Sequence, residues 1–182
     1  MALKQQDSGA LSGLRLLLLR HAKSAWPEGV ADEERPLNGR GRAAAQRVGD
    51  YLKEQRLIPD LALVSTARRT QETWALVRER LPSKPEMRAV SWLYAASPEQ
   101  ILQVLKSVEP GPRTVLVLAH NPGTQDLALG LCGGGDAAAR QSMAEKYPTA
   151  GLAVIDLPVA HWRDVDLGIG QLERFVTPRA LG

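Results

Sequence analysis

Residues 14–26 read LRLLLLRHAKSAW, an apolar run that stops abruptly on Arg20 and His21. The run is far too short to cross a bilayer, which takes about 20 apolar residues, and has the length of a strand buried on both faces. Such continuous rather than alternating hydrophobicity belongs to parallel sheets covered by helices on either side. A cation and an imidazole at the end of that strand lie where open α/β sheets hold their ligands.

Working outward, β and α signals alternate. After the strand at Leu14–Leu19 comes a long loop rich in charge, Gly and Pro, AWPEGVADEERPLNGRG, and then a helix over about Gly41–Gln55 with Ala45, Val48 and Leu52 on one face. LALVS reads as a strand, Arg68–Arg80 as a helix and Met87–Ser91 as a short strand. SPEQ opens the next helix with Ser97 as N-cap, Pro98 in first position and Gln100 completing a capping box. Thr114–Ala119 is a second fully apolar strand, followed by a helix from NPGTQDLALGL. CGGGD reads as a helix stop, and GLAVIDL and LERFV as edge strands around a loop. The expected fold is a three-layer α/β/α sandwich with a mostly parallel central sheet, forming a single domain over 14–182 behind a disordered tail at 1–13.

Composition narrows the function classes. The chain has 182 residues, 44% hydrophobic and 24% charged, as a globular domain does. Its net charge of +3 comes without a polybasic tract, and aromatics are 4%, so nucleic-acid binding is not expected. The single cysteine, Cys132, can form neither an intramolecular disulfide nor a thiolate cluster. A cytoplasmic protein with no membrane partner is expected.

Three strands end alike: LLLLRH on Arg20 and His21, LALVSTARR on Arg69, and TVLVLAH on His120. In a parallel sheet these ends share one edge, which gathers two arginines and two histidines into a cationic pocket with no obligatory carboxylate. Arginine forks match phosphoryl oxygens. A neutral imidazole can attack phosphorus to give a covalent phosphohistidine that water cleaves. On this reading His21 attacks, Arg20 and Arg69 neutralise the oxygens, and His120 donates a proton to the same group. Arg68 sits beside Arg69, and only motif spacing favours the latter. Ser24 is a candidate phosphate contact, Lys23 a solvated loop residue, His161 structural or exposed, and Asp32, Glu33 and Glu34 a solvated loop face.

LRHAKSAW resembles the signature of the histidine phosphatase superfamily, the phosphoglycerate-mutase-like fold. RPLNGRGRAAAQRVGDYL resembles its following loop and helix, VSTARRTQET its Ser-x-x-x-Arg segment, and LAHNP its second histidine. LYAASPEQIL, YPTAGLAVIDL and RFVTPRAL are similar to the small phosphohistidine phosphatase, SixA-type, branch. The resemblance runs over nearly the whole chain from Leu14 and implies His21 as nucleophile, with Arg20, Arg69 and His120 as the phosphate pocket. The chain departs from the family at Ala22, where glycine is usual, and at Pro27, where larger mutases often carry asparagine. It also has Ser91 at the position comparable to the mutases' proton-donating glutamate.

Metal catalysis is not expected, because the three histidines lack ligand spacing and pocket arginines would repel a cation. No cofactor is implied. The expected activity is a metal-independent phosphatase acting on phosphohistidine in a phosphorylated protein. A phosphatase of small phosphoesters or sugar phosphates is the alternative, and a non-catalytic phospho-ligand-binding module is the rival from another class.

Overall fold

In the computed structural model, which describes residues 13–182, the leucine run forms β1 (Leu14–Arg20) at the heart of a seven-stranded sheet. The tail expected over 1–13 lies outside the described residues apart from Gly13. The remaining strands are β2 (Leu61–Ser65), β3 (Glu86–Val90), β4 (Thr114–Ala119), β5 (Cys132–Gly135), β6 (Leu152–Leu157) and β7 (Gly170–Val176). They lie in the order β3-β2-β4-β1-β6-β7-β5. β1 pairs in parallel with β4, Leu18 opposite Val117, and antiparallel with β6, Leu17 opposite Val154. Four of the six pairings are parallel.

The pleat of β1 divides its leucines between two cores. Leu16 and Leu18 face one side, where α3 (Pro98–Lys106), α4 (Gly123–Leu131) and α5 (Ala137–Glu145) contribute Ile101, Leu127 and Met143. Leu17 and Leu19 face the other, covered by α1 (Gly39–Glu54) and α2 (Arg68–Arg80) through Val48, Leu52 and Trp74. The result is the expected three-layer α/β/α sandwich. The four leucines at 16–19 are fully buried, each contributing about 1.5–3 kcal/mol of transfer free energy.

Helix starts follow local chemistry. Asn38 caps α1 by accepting from the Gly41 N–H at 2.9 Å, so the helix begins two residues before the position its apolar face predicts. Gly41 is obligatory there, because a Cβ would sit 2.0 Å from the Lys23 carbonyl oxygen. The capping box of α3 forms as read, with Gln100 N–H donating to Ser97 Oγ and Ser97 N–H to Gln100 Oε1.

Three expectations are corrected. CGGGD is not merely a helix stop: Cys132–Gly135 forms the edge strand β5, whose close packing over Gly168 and Leu172 no side chain at Gly133 or Gly135 would permit. α5 follows it, opened by Asp136 accepting from Ala139 N–H at 2.7 Å. GLAVIDL and LERFV are not edge strands either: β6 lies inside the sheet against β1 with five of six residues buried, and β7 lies between β6 and β5. Among the described residues no helix is long and apolar enough to cross a membrane.

Candidate active site

The parallel strands β1, β2 and β4 deliver their C-terminal residues to one edge, and the predicted groups meet there. A cleft of about 250 Å³ is lined by Arg20, His21, Lys23, Ser24, Trp26, Arg35, Arg69, His120, Asn121 and Thr149. The His21 and His120 rings are 5.2 Å apart between centroids. A larger groove of about 360 Å³ between β3 and α3, lined by Arg88 and Trp92, carries no histidine.

His21 ends β1 buried, and its Nδ1–H donates to the carbonyl of Ala22 at 2.8 Å. That bond fixes the tautomer and leaves Nε2 with its lone pair. Burial pushes the imidazole down to about 3, with His120, Arg69 and Arg20 adding to the effect against the Ala22 bond. His21 is therefore neutral at neutral pH. His120 is pushed down to about 4, first by burial and then by Arg69. Its Nδ1 accepts from Arg69 Nη2 at 3.4 Å, and its Nε2 shares a 2.7 Å hydrogen bond with Ser65 Oγ. With Nδ1 occupied as an acceptor, the neutral ring carries its proton on Nε2 and gives it to the Ser65 hydroxyl, so the proton donation to the phosphoryl group expected of His120 is not what this geometry presents.

Arg20 donates from Nη1 to the Tyr147 carbonyl at 2.9 Å, and Asn121 Nδ2 donates to the same oxygen at 3.2 Å. The Ala150 N–H in turn donates to the carbonyls of Arg20 and His21, so residues 147–151 form a wall tied to the end of β1. Arg69 is the buried arginine of its pair, whereas Arg68 is exposed and bound to Glu72 at 2.8 Å. Arg20 Nε and Arg69 Nε are buried N–H donors without a protein partner. Such orphans are costly, and an anion in the cleft would supply the acceptors they lack.

Ser24 lines the cleft, buried, and accepts from Arg35 Nη2 at 2.5 Å; Lys23 lines it from an exposed position. Ser91, Glu33, Glu34 and His161 are exposed, and Ala22 fits without strain of space in the core.

Asp32 requires a correction. It lies on the exposed loop face expected of it, but its side chain is also the centre of a network, so the expected absence of a fixed carboxylate gives way. Arg69 donates from Nη1 to the Asp32 carbonyl at 2.7 Å and from Nη2 to Oδ2 at 3.0 Å, while Tyr94 Oη donates to Oδ2 at 2.6 Å. Arg35 donates to Oδ1 at 2.9 Å. The Tyr94 bond, then Arg35 and Arg69, hold the carboxyl well below the usual carboxylate range, so it orients Arg69 and keeps no proton to give. Arg35, Tyr94 and Asn121 escape sequence reasoning. Nothing in an isolated arginine before a proline marks it as buried, and the Tyr94–Asp32 contact spans 62 residues.

The profile of the histidine phosphatase superfamily (branch 1) matches residues 16–90, the segment that carries Arg20, His21 and Arg69. An uncharacterised protein of Mycobacterium tuberculosis is 38% identical over 163 residues, covering 88% of this chain and all of that one. The chain belongs to the histidine phosphatase superfamily. This histidine phosphatase is similar in structure to the candidate phosphohistidine phosphatase SixA from Agrobacterium tumefaciens, at 28% identity and a TM-score of 0.77, covering 91% of this chain and 99% of that one. The corresponding SixA candidate from Nakamurella multipartitia gives 25% identity and a TM-score of 0.81, covering 91% and 96%. Superfamily membership together with the likeness to the SixA structures supports a phosphatase, a hydrolase of phosphorylated substrates.

Proposed function

We propose that this histidine phosphatase works without a metal through a phosphohistidine formed on His21 and that its substrate is phosphohistidine in proteins. The observation that carries the reading is the His21 imidazole, neutral and held by Nδ1–H on the Ala22 carbonyl, so that Nε2 is the nucleophile, beside two arginines with orphaned N–H groups. Nε2 attacks phosphorus, the bond to the leaving nitrogen breaks with its electron pair, and water then cleaves the N–P bond on His21 to release phosphate. Arg20 and Arg69 take up charge on the phosphoryl oxygens. Ser24 accepts from Arg35, so its own proton is directed elsewhere and can meet an oxygen. His120, with Nδ1 accepting from Arg69 Nη2 and Nε2–H donating to Ser65 Oγ, helps hold that arginine at the phosphoryl site.

Two features support the substrate. Asp32, the carboxylate bound to Arg69, is held ionised, and the residues lining the cleft include no Asp or Glu. An alkyl phosphoester needs a positioned acid for its alkoxide, an effect of about 10²–10⁴-fold, whereas phosphohistidine can be protonated by solvent and depart as neutral imidazole. Likeness to the SixA candidates points the same way. Metal independence is supported by the donor set: among the described residues no three His, Cys, Asp or Glu side chains converge. A single domain over residues 14–182 and a cytoplasmic setting complete the proposal.

The test is to trap the intermediate. Brief incubation with a phosphohistidine substrate and acid-free quenching should leave an acid-labile phosphoryl group on His21, and His21→Ala should neither label nor turn over. Normal turnover by a folded His21→Ala protein would end this reading.

A further inference from the structure

Trp26 lines the cleft yet is 78% exposed. Single exposed apolar residues are ordinary on protein surfaces; this one differs in how it is held. The Arg35 guanidinium carbon lies 3.1 Å from the centroid of its ring. Arg35 is itself buried and anchored at three points: Nε donates to the Ala25 carbonyl at 3.1 Å, Nη1 to Asp32 Oδ1 at 2.9 Å and Nη2 to Ser24 Oγ at 2.5 Å. The indole is therefore fixed by cation–π contact with an immobilised guanidinium while most of its surface stays in water. Trp92, 67% exposed, lies on the separate groove beside β3.

A large aromatic surface already ordered at the mouth of a site binds at low entropic cost, since little rotamer freedom remains to be lost. The cation on one side draws on the negative π face, which leaves the ring better suited to a neutral planar partner than to a second cation. We propose that Trp26, fixed by Arg35, is an aromatic subsite that takes a planar ring attached to the phosphoryl group, so that substrates with imidazole or aryl leaving groups are preferred over those with small aliphatic ones. The inference rests on the cleft being the phosphoryl site, and the Arg35 Nη2 bond joins the platform to Ser24 in that cleft.

The test uses non-hydrolysable ligands and so does not require turnover. Phenylphosphonate and methylphosphonate differ only in the ring, and their affinities for the full chain are measured by titration calorimetry. The wild type should favour phenylphosphonate, and Trp26→Ala should reduce that preference by about fivefold or more, as loss of an aromatic stack does. Trp26→Phe should keep much of it. Trp26→Leu, which still covers Arg35 with apolar surface but has no π face, should behave like alanine. Equal binding of the two ligands by wild type, or a preference that survives in Trp26→Ala or Trp26→Leu, overturns the subsite. Failure of the wild type to bind either phosphonate overturns the subsite together with the phosphoryl reading beneath it.

Discussion

Keeping two histidines neutral inside the site has a stability cost that appears on acidification. The ordinary imidazole value is 6.5, while His21 is pushed down to about 3 and His120 to about 4. Between 6.5 and those lower values the unfolded chain binds protons that the folded chain refuses, so stability is lost as pH falls through that window and is fully present above it. At pH 5 an imidazole of 6.5 is almost wholly protonated when unfolded, which draws about 2 kcal/mol per histidine relative to pH 7.5, and about 4 kcal/mol for the pair. That is a large share of the roughly 5–15 kcal/mol that a domain has in total. Asp32 does not contribute in this window, because its depressed value removes stability only as pH falls below the ordinary carboxylate value of 3.8. The assay is urea denaturation at pH 7.5 and 5.0 for the wild type, His21→Ala and His120→Asn. The wild type should lose about 4 kcal/mol between the two conditions and each variant about 2, whatever its absolute stability at pH 7.5. A His21→Ala protein losing as much as the wild type would show that His21 is protonated in the folded state, and the neutral-nucleophile argument would collapse with it.

Turnover should follow the same groups: kcat/KM on a phosphohistidine substrate should hold down to about pH 5, and an acid limb centred near 6.5 would contradict the depressed His21 value. Asp32→Ala frees Arg69 from its orienting carboxylate and should lower kcat/KM by about 10-fold or more, given the strength of hydrogen bonds to charged groups; disappearance of a basic limb in its pH profile would instead make Asp32 the proton donor. Across a series of aryl phosphates, rates should rise steeply as the leaving phenol becomes more acidic, and a flat dependence would reveal an acid in the cleft. Activity should survive EDTA, and loss restored by a divalent ion would refute the metal-free mechanism.

Much of the frame was legible because its signals are local. β1 and β4 are continuous apolar runs, α2 falls over Arg68–Arg80 as read, and Ser97 and Gln100 cap α3 as their spacing required. The convergence of Arg20, His21, Arg69 and His120 was legible too, since parallel strands bring their ends to one edge. What local signals could not carry was neighbour order. LAVIDL is apolar enough for an interior strand, but only its pairing with β1 decides that it is one. β5 is built of glycines whose strand conformation comes from the close approach of β7, with no propensity of their own to announce it. The Asp32 network failed for a related reason: a carboxylate on an acidic loop looks solvated until Arg69 and Tyr94 are brought to it from 37 and 62 residues away.

The reversed direction of β6 gives one rim of the cleft an evolutionary freedom that the others lack. At β1, β2 and β4 the cleft edge is reached as the chain leaves a strand, and the residues lining it stand within a few positions, so an inserted residue there would displace an arginine or a histidine. β6 runs antiparallel to β1, and its cleft wall, residues 147–151, is the chain arriving at the strand. That wall is pinned to Arg20, His21 and Asn121, but immediately upstream lies α5, of which Met143 alone is buried. Added length between Asp136 and Lys146 would fall outside that pinned wall, so the side chains lining the cleft would keep their places. Through this segment a lineage can vary the chain next to the cleft by insertion alone, with no change to the groups beneath.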